Sequence, residues 1–295
     1  MQHITVLLEE AVTGLQLRPD SVVVDATLGG GGHSRRILTE LSSKGILLGL
    51  DADNAAVAAL QDLKSASATV HLVVSNFAKL NEALSGASIE APDAILADLG
   101  WRTDQFTDGN KGFSFSADEP LLMTYGDAAT YSFTAADIVN TWKEDDIANV
   151  LYGYGEERYS RRIASLIVET RRKIPITTAL QLATIIETAV PHSYRNGRTH
   201  AATKSFQALR IAVNDEFTVL ETFIAVAWNR LAPAGRLAII SFHSLEDRIV
   251  KHTFKSYAVS KAGILITKKP IVPSREELLR NPRSRSAKLR IIQKN

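Results

Sequence analysis

Short runs of apolar, often β-branched residues recur in both halves of the chain, with helix-like segments between them. Unbroken apolar runs of this length are typical of strands buried on both faces of a parallel sheet. The predicted strands are residues 21–24, 45–50, 70–74, 93–98, 236–242, 264–267 and 289–292. Their alternation with helices predicts a right-handed, doubly wound α/β sheet, and the last two strands are consistent with a hairpin at its edge.

The pattern changes between about Thr103 and His200, where predicted strands disappear and helical spacing dominates. Three helical stretches are predicted there, residues 135–151, 156–173 and 178–190. We interpret this part as a helical domain, residues 104–203, inserted into a sheet domain made of residues 1–103 and 204–295. A long helix, residues 205–231, is expected to lead back into the sheet.

Composition narrows the classes of protein. The chain has 295 residues, 45% of them apolar, and a net charge of +2, so it can bury one large core or two modest ones. It contains no cysteine, which excludes disulfides and thiolate metal sites and favours a reducing compartment; no metal site is expected. No signal peptide and no apolar run of about 20 residues is evident, so we expect a cytoplasmic protein without membrane contact.

A glycine-rich turn follows the first predicted strand. It runs from Asp25 to His33 and contains four consecutive glycines, and a helical segment follows. Glycines let the backbone approach a ligand closely and adopt positive φ angles, so the turn suggests a nucleoside cofactor loop, although an ordinary strand-to-helix turn would look similar. Asp51 closes the second strand roughly 20 residues later, where nucleoside-binding folds hold ribose hydroxyls.

The glycine turn does not complete the G-x-G-x-x-G pattern of dinucleotide-binding folds, whose last position requires a third small residue. That position falls on Ser34 or on Arg35, depending on the glycine from which it is counted. This counts against a nicotinamide oxidoreductase, which would share the fold. Acidic residues before the turn and after the second strand fit S-adenosylmethionine (AdoMet) better, and AdoMet is the predicted cofactor.

Three further candidate site residues stand at or just after the ends of predicted strands. Phe77 comes after the third strand and would either stack on an adenine or pack in the core. Asp98 ends the fourth strand at the carboxyl edge, where open α/β sheets bind ligands. His243 follows the fifth strand and would either face the substrate pocket or cap the next helix, in which Ser244 and Asp247 have the spacing of a capping box.

Basic residues cluster in two regions. Those near the C-terminus are suited to contact a phosphate backbone: Lys268, Lys269, Arg275, Arg280, Arg283, Arg285, Lys288, Arg290 and Lys294. Those of the insert are interpreted as a solvated helix face paired with Glu156, Glu157 and Glu169: Arg158, Arg161, Arg162, Arg171, Arg172, Arg195 and Arg198.

Over nearly its full length the chain resembles the ribosomal RNA small-subunit methyltransferase H family (RsmH, also called MraW). The motifs that carry the resemblance are residues 3–12, 25–34, 50–51, 98–100, 112–115, 154–157, 202–210, 240–248 and 281–290. The resemblance implies a Rossmann-like AdoMet-dependent methyltransferase domain, an inserted substrate-recognition domain, and methylation of the N4 amine of a cytidine in the decoding region of 16S rRNA. The implied partner is 16S rRNA, within the small ribosomal subunit; a homodimer is left open.

The family pattern also implies cofactor contacts. They fall on Gly31, Gly32, His33, Asp51, Phe77, Asp98 and Gln105. Most of these were reached from the residues alone, whereas Gln105 comes only from the resemblance.

For the chemistry, Asp98 and His243 are the predicted catalytic residues. A cytosine amine is a poor nucleophile, and an acceptor on its N–H would localise its lone pair; we assign this role to Asp98, with the Leu99 carbonyl as a further acceptor. Trp101 would either stack on a base turned out of the RNA or pack against the insert.

The sequence departs from the family beside the expected acceptor site. Residues 101–103 read Trp-Arg-Thr where the family usually has Val-Ser-Ser, Lys111 replaces an arginine, and Leu122 and Thr124 replace an aspartate and an arginine. The last change either deletes an ion pair or alters substrate handling. A catalytically silent, AdoMet-binding rRNA assembly factor is therefore the alternative function.

Overall fold

The computed structural model describes residues 4–65, 67–99, 110–197 and 199–295. They form two compact units, one made of the described residues of 1–101 together with 217–295, the other of those of 102–216. Within the described residues, no helix combines the length and the apolar character needed to cross a bilayer.

The first unit is built on a seven-stranded sheet. Its strands are β1 (Val22–Asp25), β2 (Ile46–Asp51), β3 (Thr69–Val74), β4 (Ala94–Asp98), β5 (Arg236–Ser241), β6 (Gly263–Leu265) and β7 (Lys288–Lys294). The order is β3-β2-β1-β4-β5-β7-β6; the first five are parallel and β7 runs antiparallel between β5 and β6. All seven predicted strands and the doubly wound α/β class are confirmed. Because the order reverses between β1 and β4, a crevice for a ligand is expected at their carboxyl ends.

The α-helices of the described residues, in chain order, are α1 (Leu8–Leu15), α2 (Gly32–Leu38), α3 (Asn54–Ala59), α4 (Leu80–Gly86), α5 (Ala135–Thr141), α6 (Glu144–Gly155), α7 (Ser160–Arg171), α8 (Ala179–Ala189), α9 (His192–Arg195), α10 (Thr203–Asn214), α11 (Glu216–Arg230), α12 (Ser244–Val259) and α13 (Arg275–Arg280). Short 3₁₀ turns occupy Gln61–Ser65, Phe77–Lys79, Ala128–Thr130 and Pro282–Ser286.

Two helices predicted as continuous are interrupted. The stretch 135–151 is divided into α5 and α6, because Trp142 and Lys143 have extended backbone angles. The predicted helix 205–231 is divided into α10 and α11 at Asp215, whose φ of 48° is left-handed. Since α10 belongs to the second unit, that unit extends beyond residue 203, where the predicted insert ends.

The connection between β6 and β7 also differs from the prediction of a hairpin. The two strands are antiparallel neighbours at the sheet edge, but residues 266–287, here named the basic connection, separate them and contain α13. A bridge between Ile271 and Leu289 ties this connection to the sheet.

Apolar side chains cover both faces of the sheet, as the alternation of strand residues requires. Leu48, Ile95 and Ile239 point into a cluster that contains Phe223 and Phe254, and their neighbours Leu47, Leu96 and Ile240 belong to the cluster on the opposite face. The second unit has its own core, formed by α5–α8 and α10. Each unit therefore buries a core of its own.

Two arginines of the second unit have more specific partners than the predicted glutamates. Arg171 donates to the carbonyls of Val139 and Trp142, at 2.9 and 2.7 Å. The Arg158 guanidinium lies 4.8 Å from the ring centres of both Tyr159 and Tyr194. Glu157 is buried and accepts a hydrogen bond from the Tyr194 hydroxyl at 2.7 Å, so it serves the core rather than the solvated face.

Three of the basic residues predicted to contact phosphate have internal partners in the first unit. Lys288 and Arg290 bind the buried Asp247 carboxylate at 3.1 and 2.7 Å, and Lys294 donates to carbonyls at the end of α11. Burial alone would raise the pKa of Asp247, but the hydrogen bonds and charges of Arg290 and Lys288 hold it below its usual value. This ion cluster fastens α12 to β7.

We expect Asp247→Asn to lower the free energy of unfolding by about 3 kcal/mol at pH 7, because Arg290 would remain buried without its counter-charge. A carboxylate with a depressed pKa stabilises the fold above its unfolded-state pKa, and the effect disappears as the pH falls through the folded-state pKa. Urea denaturation should therefore show the full difference from wild type at pH 7. The difference should begin to decrease only below about pH 4 and should vanish below the folded-state pKa, which is lower still.

The matched control is Asp62→Asn, which removes the exposed partner of Arg35. A much smaller loss is expected there, because exposed ion pairs contribute little to stability. Equal losses in the two variants would contradict the stabilising role of the Asp247 cluster.

Candidate functional site

The turn after β1 is organised by a buried carboxylate. Asp25 accepts hydrogen bonds from the Ser34 hydroxyl at 2.7 Å and from the Thr27 amide at 3.3 Å. Burial raises the pKa of Asp25, and these two hydrogen bonds oppose that effect. The carboxylate thereby ties the end of β1 to the first turn of α2, which begins at Gly32.

The glycines of this turn are required by backbone angle and by space. Gly29 and Gly31 have φ values of +51° and +75°, in the left-handed region that side chains rarely adopt. A Cβ at Gly31 would lie 2.8 Å from a Leu60 methyl, and one at Gly32 would overlap the Thr5 hydroxyl. The turn is therefore packed closely against neighbouring chain and presents bare backbone.

Asp51, at the end of β2, is held against the same turn. Its carboxylate accepts hydrogen bonds from the backbone amides of Gly29 and Asp53, at 2.8 and 2.9 Å. A carboxylate offers about four acceptor positions, so fixing it in this way is compatible with a further bond to a ligand hydroxyl. The ribose-binding role of Asp51 stays a prediction.

Asp98 ends β4 beside the turn. Its amide donates to the Thr27 hydroxyl at 2.6 Å, and its Oδ2 lies 3.8 Å from Nδ1 of the buried His33. The side chain is 18% exposed, and its Oδ1 is buried without a hydrogen-bond partner among the described residues. Burial, followed by the charges of Asp25 and Glu246, raises the pKa of Asp98 to about 8.

These carboxylates make the carboxyl edge of the sheet receptive to a cation. Asp25 and Glu246 raise the cost of ionising Asp98 in a partly dehydrated place, and a positively charged ligand would relieve that repulsion. A bare glycine turn and a fixed carboxylate at Asp51 provide room and acceptors for a nucleoside. The residues present therefore fit a cationic nucleoside cofactor such as AdoMet.

Phe77 packs in the core, which is one of its two predicted roles; stacking on an adenine stays a prediction. Its ring packs edge-to-face on Phe223 in the core, with centroids 5.2 Å apart, yet the side chain remains partly exposed. Asn76, which precedes it, uses its side-chain oxygen to accept from the Ala78 amide. The ring is thus fixed by the core and keeps a surface for contact with a ligand.

His243 is the N-cap of α12. Its Nδ1 accepts from the Glu246 amide at 3.3 Å, and the Glu246 carboxylate accepts from the Phe242 and His243 amides. The capping box is therefore formed by His243 and Glu246, one residue before the predicted pair Ser244 and Asp247. Nε2 of His243 lies 3.1 Å from the Glu246 carboxylate.

The first unit brings most of the predicted site together at one edge of the sheet. Gly31, Gly32, His33, Asp51 and Asp98 surround the ends of β1, β2 and β4, with Phe77 after β3 and His243 after β5. The predicted Gln105 and Trp101 lie outside the described residues.

Sequence reasoning missed three contributors. Thr27 supports the Asp98 amide, Glu246 completes the cap and perturbs Asp98, and Thr5 packs on the glycine turn. Only Glu246 had a local signal, its position three residues after His243.

A sheet with this strand order, a glycine turn after β1 and an acidic residue ending β2 defines a Rossmann-like AdoMet-dependent methyltransferase. Comparison with known proteins gives the same class. The chain belongs to the MraW methylase family, whose model matches residues 1–295. The predicted family, enzyme class and AdoMet cofactor are thereby confirmed.

The relatives are similar over their whole length. One from Paenibacillus sp. (strain JDR-2) is 44% identical over 99% of both chains, and one from Brevibacillus brevis is 42% identical over 99% of this chain and 98% of its own. One from Synechococcus elongatus is 48% identical over 99% of this chain and 94% of its own. Each of the three is named ribosomal RNA small subunit methyltransferase H.

The raised pKa of Asp98 generates a stability prediction. The folded-state pKa, about 8, exceeds the ordinary value of 3.8, so the wild type loses stability as the pH rises between those values, by up to about 1.4 kcal/mol per pH unit. Asp98→Asn carries no charge there, and its stability relative to wild type should rise from pH 5 to pH 9. Urea denaturation at pH 5, 7 and 9 measures this; a difference that stays constant with pH would contradict it.

Proposed function

We propose that this methylase transfers a methyl group from AdoMet to the exocyclic N4 amine of a cytidine in the decoding region of 16S rRNA. The small ribosomal subunit is its partner, the reaction takes place in the cytoplasm, and the second unit recognises the RNA. The names of the relatives support an rRNA substrate. The observation that carries the proposal is Oδ1 of Asp98, which is buried beside the glycine turn and has no hydrogen-bond partner among the residues that the structure describes.

The cofactor would be held by the turn and by the strand ends around it. The proposed contacts are Gly31, Gly32, His33, Asp51, Phe77, Asp98 and Gln105. When bound, AdoMet supplies a methyl group carried on a positively charged sulfur. The carboxyl groups of Asp25, Asp98 and Glu246 favour that cation, because it would stabilise their ionised forms, and the close packing of the turn limits water beside it.

Asp98 is the proposed acceptor for the amine. The amine's lone pair is delocalised into the cytosine ring, and a carboxylate that accepts an N–H bond localises the lone pair and stabilises the positive charge that develops on nitrogen. This role requires ionised Asp98, whereas its pKa of about 8 keeps it largely protonated at neutral pH. A cation nearby lowers that pKa, so cofactor binding would prepare the acceptor.

His243 is proposed as the second catalytic residue, on the substrate side of the pocket. Because Nδ1 accepts from the helix backbone, only Nε2 is left to contact a base. The cap fixes the ring, so His243 would position the cytosine rather than move through the reaction.

The departures from the family in the second unit support the enzyme over the silent factor. Thr124 is buried and its hydroxyl bonds to the Gly126 carbonyl, while Lys111 donates to the carbonyls of Tyr125 and Gly126. Lys111 and Thr124 thus serve the packing of their own unit, as expected if the family's ion pair was exchanged for other contacts.

The test is methyl transfer from labelled AdoMet to small subunits from a strain that lacks the modification. Wild type should place label on N4 of one cytidine, identified by nuclease digestion and mass spectrometry. Asp98→Ala should lower kcat at least a hundredfold, because it removes the acceptor.

Glu90→Gln, an exposed change, is the control and should behave like wild type. Tight AdoMet binding without transfer to subunits or to free rRNA would contradict the proposal and favour the silent assembly factor. Label on another atom would contradict the proposed N4 specificity.

A second prediction separates the two roles of His243. Asparagine is itself a good N-cap, so His243→Asn should leave the melting temperature within a few degrees of wild type and lower kcat more than tenfold. His243→Ala should lower both, with a loss of about 1 kcal/mol in stability. If the asparagine variant retains wild-type kcat, His243 is a cap only.

A further inference from the structure

Residues 4–7, here named the N-terminal segment, are held by the basic connection, far away along the chain. The Leu7 amide donates to Oε1 of Glu277 at 2.8 Å, and Nδ2 of Asn281 donates to the Ile4 carbonyl at 3.1 Å. Glu277 and Asn281 are each more than 90% buried. Buried hydrogen bonds of this kind are costly to break, because the partner is left without water.

The backbone at the end of this segment shows why it needs support. Leu7 has a φ of 50°, a left-handed angle that leucine adopts at a cost, and it precedes α1 without a side-chain cap of its own. Glu277 accepts the amide of Leu7 itself, which is the bond that an N3 glutamate makes in a capping box, and here it comes from a distant part of the chain.

Thr5 lies between the two anchored residues and forms a wall of the glycine turn. A Cβ built at Gly32 would overlap its hydroxyl, and would lie 2.9 Å from its Cβ. The Thr5 side chain therefore occupies the space beside Gly32, the residue with which α2 begins.

We infer that Glu277 and Asn281 are positioning residues for the cofactor site, acting through the N-terminal segment to hold Thr5 against Gly32. Both residues belong to the basic connection. The cations of this connection are suited to contact phosphate, whereas the side chains of Glu277 and Asn281 are buried. Its exposed cations are Lys268, Lys269, Arg275, Arg280, Arg283 and Arg285. Glu276, the neighbour of Glu277, is exposed and makes only an ion pair of 3.7 Å with Arg280.

The test measures affinity for S-adenosylhomocysteine by calorimetry, without RNA, so its outcome does not depend on the proposed rRNA substrate. Glu277→Ala should raise Kd five- to twentyfold, because the segment loses its anchor. Glu277→Gln keeps an oxygen that accepts from the Leu7 amide and should stay within twofold of wild type. Glu276→Ala is the matched control and should also stay within twofold.

Two further readouts separate positioning from plain stability. Amide hydrogen exchange of residues 28–36 should speed up in Glu277→Ala without ligand, and the KM for AdoMet should rise while kcat at saturating AdoMet changes less than twofold. A variant that only lowers the melting temperature would change neither.

Thr5→Gly removes the wall and leaves Glu277 in place, so it carries the test if Glu277→Ala fails to fold. The Kd of this variant should rise five- to twentyfold as well. The double variant, Thr5→Gly with Glu277→Ala, should have a Kd no higher than that of the more affected single variant, because both changes act through one contact. A folded Glu277→Ala with wild-type Kd and exchange would overturn the inference, as would additive effects in the double variant.

Discussion

Two carboxyl groups held in a partly dehydrated place, at the ends of β1 and β4, are the constraint on which the site depends. A buried carboxylate is unfavourable unless hydrogen bonds or an opposite charge compensate for the lost water. Ser34 and Thr27 provide this for Asp25, whereas Asp98 keeps one oxygen without a partner among the described residues. The fold tolerates this unfavourable free energy because the apolar layers on both faces of the sheet fix the strands that carry the two residues.

Much of the fold was predictable because strand signals are local. Buried parallel strands are continuous apolar runs, and each of the seven was found within two residues of its ends. The helix interruptions were not predictable, since the left-handed Asp215 and the extended Trp142 lie in stretches whose apolar spacing continues across them. Tertiary packing decided these breaks, which spacing alone does not reveal.

The candidate site likewise contains residues that were predictable from local sequence and residues that were not. The glycine turn, Asp51 and Asp98 follow from the rule that ligands bind at the carboxyl ends of parallel strands. Capping by His243 was one of two alternatives in the sequence, but the capping box itself was assigned to Ser244 and Asp247, because histidine is not among the usual capping residues. The bond from Leu7 to Glu277 spans 270 positions, and no sequence pattern announces a contact between partners so distant.

That same bond orders events during synthesis. Residues 4–7 are synthesised at least 270 positions before Glu277 and Asn281, the two residues that hold them. Since β7, which follows these two residues along the chain, pairs with β5, residues 277–294 complete both the sheet and the wall beside Gly32. A nascent chain would thus remain without a finished cofactor turn until Glu277 and Asn281 have been added, long after the turn itself has been synthesised.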